Sequence, residues 1–179
     1  MDDADDRSYS RAPRLEDVAR IARALHDSGA RYVLIGGFAV IAHGGGRTTK
    51  DIDLLVDPAP ENVALVRKAL SILHDDAAAD VRDTDVADYG VVRIADEVVV
   101  DLLSSACGVT WAEAAMDAFA FEVLGAPLIV ASPRTLIRTK RTIRPSDAVD
   151  RAFLEGLADS GEADDDRVPG SGSSTRPDR

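Results

Sequence analysis

Two aspartates one residue apart, Asp51 and Asp53, lie in the run Asp51-Ile52-Asp53-Leu54. In a strand, residues two apart point to the same face. Both carboxylates then project together while Ile52 and Leu54 turn to the core. Like charges on one face repel unless something positive sits between them. Hard divalent cations such as Mg²⁺ take oxygen ligands of this kind. The alternative is a solvated strand face on which Lys50 pairs one carboxylate. A third aspartate, Asp101, interrupts the apolar run Val98-Val99-Val100-Asp101-Leu102-Leu103. An ionised group there is costly unless paired or metal-bound; otherwise Asp101 ends its strand and caps the next turn. Gly36-Gly37 follows the buried-type run Arg31–Ile35. Glycines let backbone approach a ligand closely, and a helix starting there offers N–H groups to an anion. A plain tight turn uses the same two residues. No Gly-Lys-Ser/Thr follows and the G-x-G-x-x-G spacing is absent, so neither a phosphate-cradling Walker loop nor a dinucleotide fingerprint is present.

These residues need a scaffold, and the apolar periodicity outlines one. Leu15, Val18, Ile21, Ala22 and Leu25 recur at helical spacing, with Gly29 as the stop. Arg31–Ile35 reads as a strand, Phe38–Ala42 as a short helix, and Asp51–Val56 as a second strand. Glu61–Leu73 is an amphipathic helix, and residues 77–83 read as a strand. Tyr89–Ile94 and Val98–Leu103 form a hairpin across Ala95-Asp96-Glu97. Trp111–Met116 is helical, and Phe119–Val123 and Leu128–Val130 are strands. Ser132-Pro133 opens a helix to about Thr142, with serine as cap and proline at the first position. Pro145 opens a last helix to about Leu157. The hairpin rules out a pure βαβ chain, so the expected class is mixed α/β (α+β) with one sheet flanked by helices and helices at the C-terminal end.

The 179 residues bound the rest. The length suits one domain, expected over residues 13–159. Residues 1–12 carry many Asp and few apolar groups, residues 160–179 are built from Gly, Ser, Pro, Asp and Arg, and both are too polar to offset their ordering entropy and are expected to be disordered. A net charge of −11 opposes non-specific binding of double-stranded DNA, which needs a basic face. Aromatics at 4% argue against a base-stacking single-strand binder. The single cysteine, Cys107, permits no intramolecular disulfide. With no apolar run of membrane-spanning length and a polar, acidic N-terminus, the expected location is the cytoplasm.

Ile35-Gly36-Gly37, a spacer of 13 residues, and Asp51-Ile52-Asp53-Leu54 together resemble the signature of the nucleotidyltransferase superfamily, the polymerase-β-like fold. Asp101 resembles that family's third carboxylate. The longer string YVLIGGFAVIAHGGGRTTKDIDLLVD is similar to the branch containing AbiEii-type toxins of type IV toxin–antitoxin systems. Lys140 and Asp147, within VASPRTLIRTKRTIRPSDAVDRAFL, match that branch's downstream Lys and Asp. The resemblance spans roughly residues 31–157. It departs at Arg141-Thr142-Ile143, where small or apolar residues are more usual. The resemblance implies a nucleotidyltransferase-like sheet. It implies transfer of a nucleoside monophosphate from ATP or another NTP to an acceptor, with pyrophosphate released. Asp51, Asp53 and Asp101 would hold Mg²⁺, and Asp101 could take the attacking group's proton. Gly36 and Gly37 would hold the triphosphate, and Lys140 or Arg144 would neutralise phosphate charge. The acceptor would be RNA such as tRNA, a protein or a small molecule, with a cognate antitoxin protein as partner.

Other residues carry two readings each. Arg47 and Lys50 belong to the loop HGGGRTTKD (residues 43–51), either as phosphate contacts or as parts of a solvated loop. His43 has no second His or Cys at ligand spacing and reads as a packed or capping histidine. Arg134, Arg138, Lys140, Arg141 and Arg144 form either an attracting patch or an ordinary solvated face. The rival to an enzyme is a catalytically inactive module of the same fold that binds nucleotide or a partner protein.

Overall fold

Asp17 opens the first helix by accepting the Arg14 backbone N–H at 2.8 Å, which satisfies one of the donors a helix start leaves over. The computed structural model describes residues 10–165. Its first helix, α1 (Leu15–Ser28), buries Val18, Ile21, Ala22 and Leu25 of the stripe expected from their spacing, while Leu15 in the first turn is exposed. Gly29 ends it at φ 72°, in the left-handed region. Residues 1–9 and 166–179, most of the two ends expected to be disordered, lie outside the described residues. Ser10 and Arg11 are tied down: the Ser10 hydroxyl donates to the Asp96 carbonyl at 2.6 Å, and both Arg11 Nη atoms donate to Asp17 at 2.7 Å.

The strands and helices then alternate as β1 (Tyr32–Ile35), α2 (Gly36–Ala42), β2 (Asp51–Val56) and α3 (Pro60–Leu70). Next come α4 (Asp85–Tyr89), β3 (Val91–Ala95) and β4 (Val99–Leu103), a two-residue pair β5 (Ser105–Ala106) and β6 (Val109–Thr110), and α5 (Trp111–Ala115). The chain continues through β7 (Phe119–Val123), β8 (Ala126–Val130), α6 (Pro133–Thr139) and α7 (Pro145–Asp165). The main sheet has the order β3-β4-β2-β1-β8-β7. β1 runs antiparallel to β2 and parallel to β8, while β2 runs parallel to β4. The class is the mixed α/β one expected. β1 is buried along its whole length, and α1, α3 and β8 contribute Leu25, Val66 and Val130 to the same core. Asn62, fully buried, pins the base of β1 to β2: it accepts the Arg31 N–H at 2.7 Å and donates to the Arg31 and Asp57 carbonyls. No helix among the described residues is long and apolar enough to cross a membrane.

Residues 77–83 are not a strand. Ala77–Asp80 forms a 3-10 turn and α4 follows. Alanines have no branched Cβ to favour extension. Asp96, 1% exposed, captures this turn by accepting the Asp75 and Ala77 N–H groups at 3.0 and 2.9 Å. The same aspartate resets the β3–β4 hairpin. Val98 is fully buried in the core, so the connection is Asp96-Glu97-Val98 and Ala95 pairs with Val99. The connection expected from the sequence lay one residue earlier. The last helix also runs on to Asp165 rather than ending near Leu157, and α6 stops at Thr139, leaving Lys140 as its C-cap.

Candidate functional site

The parallel register of β2 and β4 sets Asp53 directly beside Asp101, with Asp51 two residues along on the same face. Carboxylate oxygens of Asp51, Asp53 and Asp101 all lie within 4.8 Å of one another. An octahedral Mg²⁺ with bonds of about 2.1 Å holds its ligand oxygens about 3–4 Å apart. The trio therefore fits such an ion after a small closure, and its all-oxygen donor set suits a hard cation. Asp101 is 6% exposed. Burial pushes the Asp53 carboxyl up to about 7 from 3.8, with the Asp51 and Asp101 charges adding to the effect and Lys140 and Arg47 opposing it.

Gly36 and Gly37 make room for this arrangement. Gly36 has φ 69°, and a Cβ there would lie 1.9 Å from Asp53 Oδ2. A Cβ on Gly37 would lie 2.6 Å from the Thr49 side chain. Only bare backbone lets the β1–α2 turn rest on β2 at these points. α2 begins there without a side-chain cap, and Ile35, Gly36 and Gly37 line the cleft.

Arg93 completes the acidic face, and the sequence reading missed it. On β3 it stands directly opposite Asp101. Its Nε donates to Asp101 Oδ1 at 2.8 Å and its Nη2 to Oδ2 at 2.7 Å. The same Nη2 lies 3.5 Å from Asp51 Oδ2. With the earlier hairpin connection Arg93 would have faced Val99. The available signal was Val98: an apolar residue beside a connection belongs to the core, which moves the turn by one residue.

The other sequence candidates divide. Arg47 lines the cleft, and its Nη1 bonds Asp150 on α7. Lys140, 5% exposed, has its Nζ 2.8 Å from Asp150 Oδ2 and 3.5 Å from Asp147 Oδ1. Thr142 Oγ1 donates to Asp147. Lys140 is thus held between two buried aspartates at the cleft wall rather than free at its centre. Asp150 had no place among the sequence candidates. Arg144 lines the cleft mouth with Ser146. Lys50 is exposed and is not among the cleft-lining residues, so the structure does not bring it to the carboxylates. The basic run does not form one face, because Lys140 turns inward while Arg138 pairs with Glu113 at 2.9 Å. His43 packs as expected: Nε2 lies 2.8 Å from the Ala131 carbonyl, and the ring meets Phe119 and Phe121 edge-on.

The three carboxylates, the Gly36-Gly37 turn, Arg47, Arg93, Lys140 and Arg144 line a cleft of about 560 Å³. No protein-family model matches this chain, and no curated protein matches it. The chemistry therefore rests on the cleft itself. It offers three clustered carboxylates, a glycine turn and several guanidinium groups. That combination suits a ligand carrying both a divalent ion and several negative charges.

Proposed function

We propose that this protein is a Mg²⁺-dependent nucleotidyltransferase. The observation that carries the proposal is the Asp51, Asp53 and Asp101 cluster, with oxygens within 4.8 Å, beside the Gly36-Gly37 turn. Asp51, Asp53 and Asp101 would hold the metal, which when bound would screen phosphate charge and stabilise the transition state. The N–H groups at the start of α2 and the Arg47 and Arg144 side chains orient the triphosphate. An acceptor oxygen attacks the α-phosphorus, the bond from that phosphorus to the β-bridging oxygen breaks, and pyrophosphate leaves. The carboxylate of Asp101 accepts the proton of an attacking hydroxyl. Lys140 acts by placing positive charge beside Asp53 from its seat on Asp147 and Asp150.

Lys140 and Asp147, 3.5 Å apart, stand at the positions where the resemblance to AbiEii-type toxins places a downstream Lys and Asp. On that basis the acceptor is RNA such as tRNA, or a protein. The partner is a cognate antitoxin, and the setting is the cytoplasm. One observation favours the rival, an inactive nucleotide- or partner-binding module: both oxygens of Asp101 are engaged by Arg93.

Calorimetric titration with each of the four ribonucleoside triphosphates, in Mg²⁺ and in EDTA, tests the proposal. Metal-dependent binding of one triphosphate, lost in Asp51→Ala/Asp53→Ala, is the expected result. Absence of binding for all four, or binding that survives in the double variant, overturns it.

A further inference from the structure

The Arg93–Asp101 fork is more than a surface ion pair. Asp101 is buried and its two oxygens are both used, in the parallel two-bond geometry that makes arginine–carboxylate pairs strong. Arg93 itself is mostly exposed, with a side-chain accessibility of 61%. It can leave without disturbing the core. Its Nη2 also reaches toward Asp51, so the guanidinium bridges two of the three carboxylates. Both belong to the trio of carboxylates that would hold a divalent ion.

We propose that Arg93 is a gating residue: it is the resident cation of the cluster, and a divalent ion must displace it before Asp101 becomes a ligand. This rests on the metal-binding reading above and deepens it. In the metal-free protein the guanidinium neutralises Asp101. When metal and triphosphate enter, the exposed Arg93 side chain swings off Asp101. The phosphates, within the same cleft, are the negative charge it then meets. Asp101 is withheld from the ion until substrate supplies an alternative partner for Arg93. Lysine could not do this equally, because a single ammonium lacks the fork.

Titration of the full chain with Mn²⁺ alone, followed by electron paramagnetic resonance, separates this from a general charge effect. Arg93→Ala is expected to bind Mn²⁺ about ten-fold more tightly than the unaltered protein. In an Asp101→Asn background Arg93→Ala is expected to bring no gain over Asp101→Asn alone, because the gain requires the freed carboxylate. Should Arg93→Ala fail to fold, Arg93→Gln, which keeps one donor and drops the charge, is expected to change in the same direction. Equal affinity with and without Arg93 overturns the gating role while leaving the metal site standing. A gain of Arg93→Ala/Asp101→Asn over Asp101→Asn also overturns it, since removal of one positive charge would then suffice. Absence of Mn²⁺ binding in every variant overturns the gating role and the metal site together.

Discussion

Asp53→Asn should make the metal-free protein more stable while destroying its metal site. Burial and the neighbouring Asp51 and Asp101 charges raise the Asp53 carboxyl from 3.8 to about 7. Its folded value thus lies above its unfolded value. The stabilising contribution is complete below 3.8 and is lost as pH rises through about 7. At pH 8 the folded chain must ionise Asp53 against that shift, a penalty with a ceiling of about 4 kcal/mol. Asp53 is only partly buried, so solvent screening reduces it to about 2 kcal/mol. Asparagine keeps the shape and removes the charge. In EDTA at pH 8, Asp53→Asn should therefore melt about 4–8 °C above the unaltered protein. At pH 4 the difference should vanish, because both carry an uncharged group. Mg²⁺ at pH 8 should raise the melting temperature of the unaltered protein and leave the variant where it was. Thermal melts followed by circular dichroism across pH 4–8 measure all of this. A variant no more stable at pH 8 than its parent, or equally favoured at pH 4, would refute the electrostatic account.

Gly36→Ala should destabilise by more than about 2 kcal/mol, because it combines φ 69° with a Cβ 1.9 Å from Asp53 Oδ2; chemical denaturation checks it. Asp150→Asn should cost about 2–4 kcal/mol by the same assay, since it leaves the buried Lys140 ammonium with only the longer contact to Asp147. Asp96→Ala should cost about 3 kcal/mol at neutral pH by removing the acceptor for the Asp75, Ala77 and Glu97 N–H groups. Burial raises the Asp96 carboxyl, but those three donors outweigh it and hold it below the usual range. Its stabilisation is thus present above the unfolded value and fades as pH falls through the folded one, so the variant's deficit should shrink in acid.

Local pattern made much of this molecule legible. The spacing of Val18, Ile21, Ala22 and Leu25 determined α1, and Ser132-Pro133 determined the start of α6 through the Ser132 hydroxyl bonding the Thr135 N–H at 3.0 Å. The period of two in Asp51-Ile52-Asp53-Leu54 determined that both carboxylates share a face. These features depend on residues within one turn or one strand of each other, where backbone geometry leaves few choices. Pairing between distant strands was decided only in three dimensions. Asp101 faces Asp53 because β4 joins β2 in parallel at that register. Arg93 faces Asp101 because Val98 enters the core and Asp96 gathers the N–H groups of Asp75 and Ala77, 21 and 19 positions back. Lys140 meets Asp147 and Asp150 because α6 ends early and α7 folds back against it. A strand sequence dictates which side chains share its face, but the register with its neighbours follows from total burial across the sheet. That sum over the whole chain, not the local pattern, put a guanidinium on the third carboxylate.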